Sequence, residues 1–212
     1  MAARPCPGHL SRAVPSQPNL LTAPVLQNLL SELDALLPSA FGDRRVALVI
    51  HGGAAILLNN TMALVHHSPR RLATHAVQYL GAPFVAEWRA GGITDARDRL
   101  QWAAHEAAAR VGVGPDWLTS DGDQALTQLT DASGRARYPL YEAATQLHNA
   151  EAQTLFTGNT LHVLGIPSYW AIALKLQRFV GWDIPDICLI LRYASGFPWT
   201  VNIIEEWLLR NC

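Results

Sequence analysis

The sequence predicts a mixed α/β (α+β) fold: a small mixed β-sheet carrying helices, followed by a helical C-terminal part. Three observations predict it. The apolar run Val46-Ala-Leu-Val-Ile50 holds no turn residue and stops at His51-Gly52-Gly53, after which Ala54-Ala-Ile-Leu-Leu58 opens a second apolar run. This is the pattern of a buried strand, a tight turn and a helix lying close on the strand. Further short strand-like segments stand at 76–80, 151–156 and 161–166. Segments with helical spacing stand on both sides of these strands.

The elements follow in order. Residues 1–19 are rich in Pro, Ser and Arg and read as a disordered lead. Thr22 and Pro24 form a cap and first-turn pair. Val25, Leu26, Leu29, Leu30, Leu33, Leu36 and Leu37 then recur at the period of an amphipathic helix. After the glycine turn and its helix, His66-His67-Ser68-Pro69-Arg70-Arg71 is a polar connector to the strand at 76–80. Gly81-Ala82-Pro83 breaks that strand, and a helix starts within 84–89. Thr94 caps a long helix from Asp95, whose face is Ala96, Leu100, Ala103, Ala104, Ala107, Ala108 and Val111, and Gly112 stops it. Gly114-Pro115-Asp116 is a turn before Trp117-Leu118. Residues 119–138 are polar and take no assignment. Thr157-Gly158-Asn159-Thr160 joins the last two strands as a hairpin-type turn. Helices at 168–179, 184–193 and 200–209 close the chain, with Pro167, Pro185 and Pro198 near their starts. The division is a lead at 1–19, a core at 20–166 and a helical part at 167–212 packed on the core.

Composition narrows the function classes. Of 212 residues half are apolar and only 16% are charged, so the surface is expected to be weakly charged, with room for a protein partner. A net charge of −1 gives no electrostatic reason to expect nucleic acid. The three cysteines, Cys6, Cys188 and Cys212, are far apart and match no metal spacing, which fits a reducing compartment. Prolines 5, 7, 15 and 18 interrupt any signal core, and the apolar runs are too short or punctuated to span a bilayer. The expected setting is cytoplasmic, away from a membrane.

Few residues carry chemistry. The Gly52-Gly53 turn reads either as a phosphate cradle, backbone amides at a helix start favouring anions, or as close helix–strand packing. His51 either touches a ligand there or is a satisfied core histidine. His66-His67 has no third ligand at metal spacing. Asp121 and Asp123 alternate around Gly122, either as two acids facing one way on an extended segment or as a polar turn. Asp183 and Asp186 stand where acids favour a helix dipole. Lys175 and Arg178 share a helix face, either solvated or turned to a ligand. Trp199 and Trp207 lie about two helical turns apart and suggest a docking face.

A set of blocks in this order resembles a known family. They are His51-Gly52-Gly53-Ala54; Arg70-Arg71 followed by Val77-Gln78-Tyr79-Leu80; Phe84-Val85-Ala86-Glu87-Trp88; Gly112-Val-Gly-Pro-Asp-Trp-Leu118; and Ala173-Leu-Lys175-Leu-Gln-Arg178, continuing to Asp186-Ile187 and Leu191-Arg192. From Arg45 to Trp207 the chain resembles a largely fungal group of nucleotidyltransferase-like proteins of the DNA polymerase beta type. The resemblance implies a nucleotidyltransferase-like core. In the family pattern the second strand reads Asp-x-Asp. Alternate residues on a strand face one way, so two carboxylates can grip divalent metal for nucleotidyl transfer. Those positions align here with Ala76 and Gln78, a methyl group and a neutral amide, and no acid lies between Asp43 and Glu87. The resemblance also makes Lys175, with Arg178 beside it, the candidate for holding a triphosphate.

The expectation is a nucleotidyltransferase-fold pseudoenzyme that has lost metal-dependent catalysis. It would bind a nucleotide, another phosphate compound or a protein partner, with Gly52, Gly53, Lys175 and Arg178 as the phosphate-binding set and no cofactor. The alternatives are an active nucleotidyltransferase using Mg²⁺ on relocated carboxylates, Asp121 and Asp123 first, or a purely structural or interaction domain.

Overall fold

The computed structural model describes residues 20–63, 72–121, 128–134, 136–181, 183–193 and 199–211. Helix α1 (Ala23–Phe41) leads into strand β1 (Val46–His51), α2 (Gly52–Leu58) and a short α3 (Asn60–Ala63). Strand β2 (Val77–Tyr79), α4 (Gly81–Ala90) and α5 (Ala96–Val111) follow. A 3₁₀ turn at Pro115–Trp117 then leads into β3 (Leu118–Thr119). A two-stranded ribbon, β4 (Leu129–Thr130) and β5 (Ala136–Arg137), precedes α6 (Pro139–Thr145) and α7 (Leu147–Ala152). Strands β6 (Thr154–Thr157) and β7 (Leu161–Gly165) and helices α8 (Ser168–Arg178), α9 (Asp183–Tyr193) and α10 (Val201–Asn211) complete the chain.

The main sheet has the order β3-β2-β1-β7-β6 and is mixed. Strand β1 runs parallel to β7, with Leu48 opposite Val163, and antiparallel to β2, with His51 opposite Gln78. The fold is thus α+β, as the alternation of runs predicts. Side-chain alternation divides the core in two. Val46, Leu48, Ile50, Val77, Tyr79, Leu161 and Val163 share one cluster with the leucine stripe of α1, the small-residue face of α5 and Phe84 and Trp88 of α4. The opposite face sends Val49, Leu80 and Leu164 against Leu140 and Ala144 of α6 and Trp170 of α8. Ile56 of α2 joins Ile172 and Ile190, which seats α8 and α9 on the body.

Several boundaries differ from expectation for local reasons. Gly81-Ala82-Pro83 does not end in a loop but forms the first turn of α4, where a missing proline N–H costs no helical bond. Thr22 and Asp95 stand at the N-cap positions of α1 and α5 without a side-chain cap bond, so Thr94 is not the cap. Glu151 belongs to α7 and β6 begins at Thr154. Helix α8 stops at Arg178 because Phe179 takes a left-handed φ of 44°. No helix among the described residues is long and apolar enough to cross a membrane.

Candidate functional site

The glycine turn forms where the sequence places it. Gly52 adopts φ +75°, which lets the chain leave β1 and enter α2 within one residue. The β1–β2 register sets Gln78 beside His51, and the β2–β3 register sets Thr119 beside Gln78. Directly paired residues share a sheet face, so an imidazole, an amide and a hydroxyl form one row next to the turn. The Gln78 amide also closes the turn, because a Cβ on residue 52 would lie 3.2 Å from Gln78 Oε1. Gly52→Ala is therefore expected to cost about 1–2 kcal/mol in urea unfolding, mostly from the left-handed backbone. Removing the amide by Gln78→Ala is expected to recover only a small part of that cost.

The described residues beside Gly52 do not make a divalent-metal set. Ala76 precedes β2 and contributes a methyl group, and Gln78 contributes one neutral oxygen directed at the glycine turn. Mg²⁺ demands near-octahedral oxygen ligands, normally with carboxylates among them. Among the described residues no group of three or more His, Cys, Asp or Glu side chains converges. Asp121 does not move into the gap. Strand β3 runs parallel to β2, so the chain beyond Thr119 heads toward the Leu80 end of the sheet, away from Gly52. Asp121 is exposed there, its N–H donating to Thr119 Oγ1 at 3.2 Å. Asp123, Arg70, Arg71, His66, His67 and the Arg178 and Trp207 side chains lie outside the described residues.

Gly52 and Lys175, far apart in sequence, do meet. With Asn59, Gly165 and Ser168 they line one cavity of about 30 Å³. That is room for water, against the 300–1,000 Å³ or so of an ordinary small-molecule site. Gly53 lies in the first turn of α2 but does not line that cavity.

The Lys175 side chain is not on a solvated helix face but buried against α9. Its side chain is 6% exposed, and Nζ donates to Asp186 Oδ2 at 2.6 Å and to Asp183 Oδ1 at 3.3 Å. Both carboxylates are buried in the first turn of α9, where the helix amides favour negative charge. Asp183 Oδ2 also accepts the Val180 N–H at 3.0 Å. The acids expected to serve the helix dipole thus also clamp α9 to α8.

A larger cleft than the one lined by Gly52 and Lys175 lies elsewhere among the described residues. A space of about 930 Å³ opens between α4, the β4–β5 ribbon and the start of α6. Pro83, Ala86 and Ala90, at helical spacing on α4, line it together with Tyr138 and Tyr141 at the start of α6. Tyr141 donates a hydrogen bond to Glu87 Oε2. Burial first, and then Glu87, push its phenol above the ordinary range, so it stays a donor. Arg137 on the ribbon pairs with Glu142. The polar stretch 119–138, which takes no assignment from the sequence, leads into α6, and the cleft lies between them and α4. Pro139 at a first turn followed by Leu140 and Ala144 was the signal for α6.

No family model, curated protein or solved structure matches the chain.

Proposed function

We propose that the chain is a nucleotidyltransferase-like pseudoenzyme that acts by metal-independent binding. The reading rests on the row His51, Gln78 and Thr119 beside Gly52, which offers an imidazole, an amide and a hydroxyl where transfer chemistry asks for paired carboxylates. Of the residues expected to bind phosphate, Lys175 is paired with Asp183 and Asp186, and the Gln78 amide lies close over Gly52. This favours the α4–α6 cleft as the place where a ligand sits, since its volume suits a small molecule.

Magnesium titration of the full chain and of the double variant Ala76→Asp with Gln78→Asp tests the proposal. The expected result is no Mg²⁺-dependent pyrophosphate release from nucleoside triphosphates by the natural chain, and Mg²⁺ affinity only in the double variant. Mg²⁺-dependent release by the natural chain that is lost in Asp121→Asn would overturn it.

A further inference from the structure

We infer that the cleft between α4 and α6 is a binding site for a small planar aromatic cation, such as an amidine or a protonated heteroaromatic amine. This rests on the binding reading above and names the ligand class. The shape argument comes from the lining. Ala86 and Ala90 bring little bulk to the α4 side of the lining, and Tyr138 and Tyr141 add two aromatic residues from the start of α6. A flat body that stacks on tyrosine fits such a slot, and the ring faces attract positive charge.

The charge argument selects the sign. Among the described residues, Glu87, Asp131 and Glu142 line the cleft, with Arg89 and Arg137. Arg137 is taken up by Glu142. Glu87 spends one acceptor direction on Tyr141 and keeps the rest of its carboxylate capacity for a ligand N–H. That same bond fixes the Tyr141 ring against rotation away from the slot, so ring and carboxylate are set in place together. Arg89 is exposed along the α4 rim and repels a cation. With the Arg137–Glu142 pair set aside, Glu87 and Asp131 stand against Arg89, a balance that favours a cation over a phosphate compound.

Benzamidine and benzoate, one ring with opposite charges, provide the test on the full chain by calorimetry and thermal shift. Benzamidine is expected to bind and to raise the unfolding temperature, and benzoate is not. Glu87→Gln, which can still accept from Tyr141, is expected to weaken benzamidine about ten-fold. Arg89→Ala is expected to strengthen it, and Ala90→Trp to fill the slot and abolish binding. Benzoate binding as tightly as benzamidine, no benzamidine binding at millimolar concentration, or full benzamidine affinity in folded Ala90→Trp would each overturn the inference. None of these measurements involves Mg²⁺, so the ligand class can fail while the pseudoenzyme reading stands, and the reverse.

Discussion

Lys175→Ala is expected to destabilise the protein by about 3–5 kcal/mol, the usual cost of removing one partner from a buried ion pair. The substitution leaves Asp183 and Asp186 buried in α9 without the ammonium that bridges them to α8. Urea unfolding of the full chain reads the effect directly. Replacing the whole cluster, Lys175→Met with Asp183→Asn and Asp186→Asn, is expected to recover much of the loss, because no uncompensated charge then remains buried. A surface lysine serving an anion would behave differently: the alanine variant would keep its unfolding midpoint and lose only anion affinity. An unchanged midpoint would therefore sink the clamp and reopen Lys175 as a ligand group.

The second large effect is expected at Asp34, and its reason lies in the turn between β6 and β7. Asp34 on α1 accepts three backbone N–H groups, from Asn159 at 2.9 Å, Thr160 at 2.8 Å and Leu161 at 2.6 Å. Gly158 is needed because a Cβ there would overlap the Asp34 carboxylate. Asp34→Ala removes all three bonds and is expected to cost about 2–4 kcal/mol, the range for charge-assisted bonds to backbone amides that lose their acceptor. Burial raises the Asp34 pKa, but the bonds from Leu161, Asn159 and Thr160 together outweigh it, so the net shift is downward from 3.8. A carboxyl lowered in the folded state stabilises it above the unfolded value, and that contribution fades as pH falls through the folded value. The stability difference between the natural chain and Asp34→Ala is thus expected to be full at neutral pH and to shrink only below about pH 4. A difference that stays constant down to pH 2 would contradict the assignment.

Both effects show where sequence reasoning reaches and where it stops. Thr157-Gly158-Asn159-Thr160 is legible as a hairpin turn because glycine and asparagine carry turn conformations locally. That Asp34, more than a hundred residues earlier, seizes the turn is not legible, since nothing in the spacing ties the two. Asp183 and Asp186 are legible as first-turn acids, and Lys175 and Arg178 as neighbours on a helix. Whether that face meets water or another helix depends on how α8 and α9 pack, which the face pattern of Lys175 does not reveal. Residues 119–138 resisted assignment because β3, β4 and β5 are two residues each. No alternation can be read from two positions, and Leu118 and Thr119 become a strand only through pairing with Val77 and Gln78.

The chain by itself determined the strand–turn–helix at 46–58, the leucine stripe of α1, the small-residue face of α5, the hairpin and the three closing helices. Each is a repeat of burial among near neighbours, so the information lies within one or two turns of chain. It also determined that the segment after the glycine turn holds Ala76 and Gln78 and no acid. Only the tertiary structure decided that Gln78 lies against Gly52, that Lys175 is spent on two aspartates, and that the roomy cleft stands between α4 and α6. Those outcomes depend on strand register and helix packing between residues distant in sequence, where one residue of slip would exchange the faces and the partners.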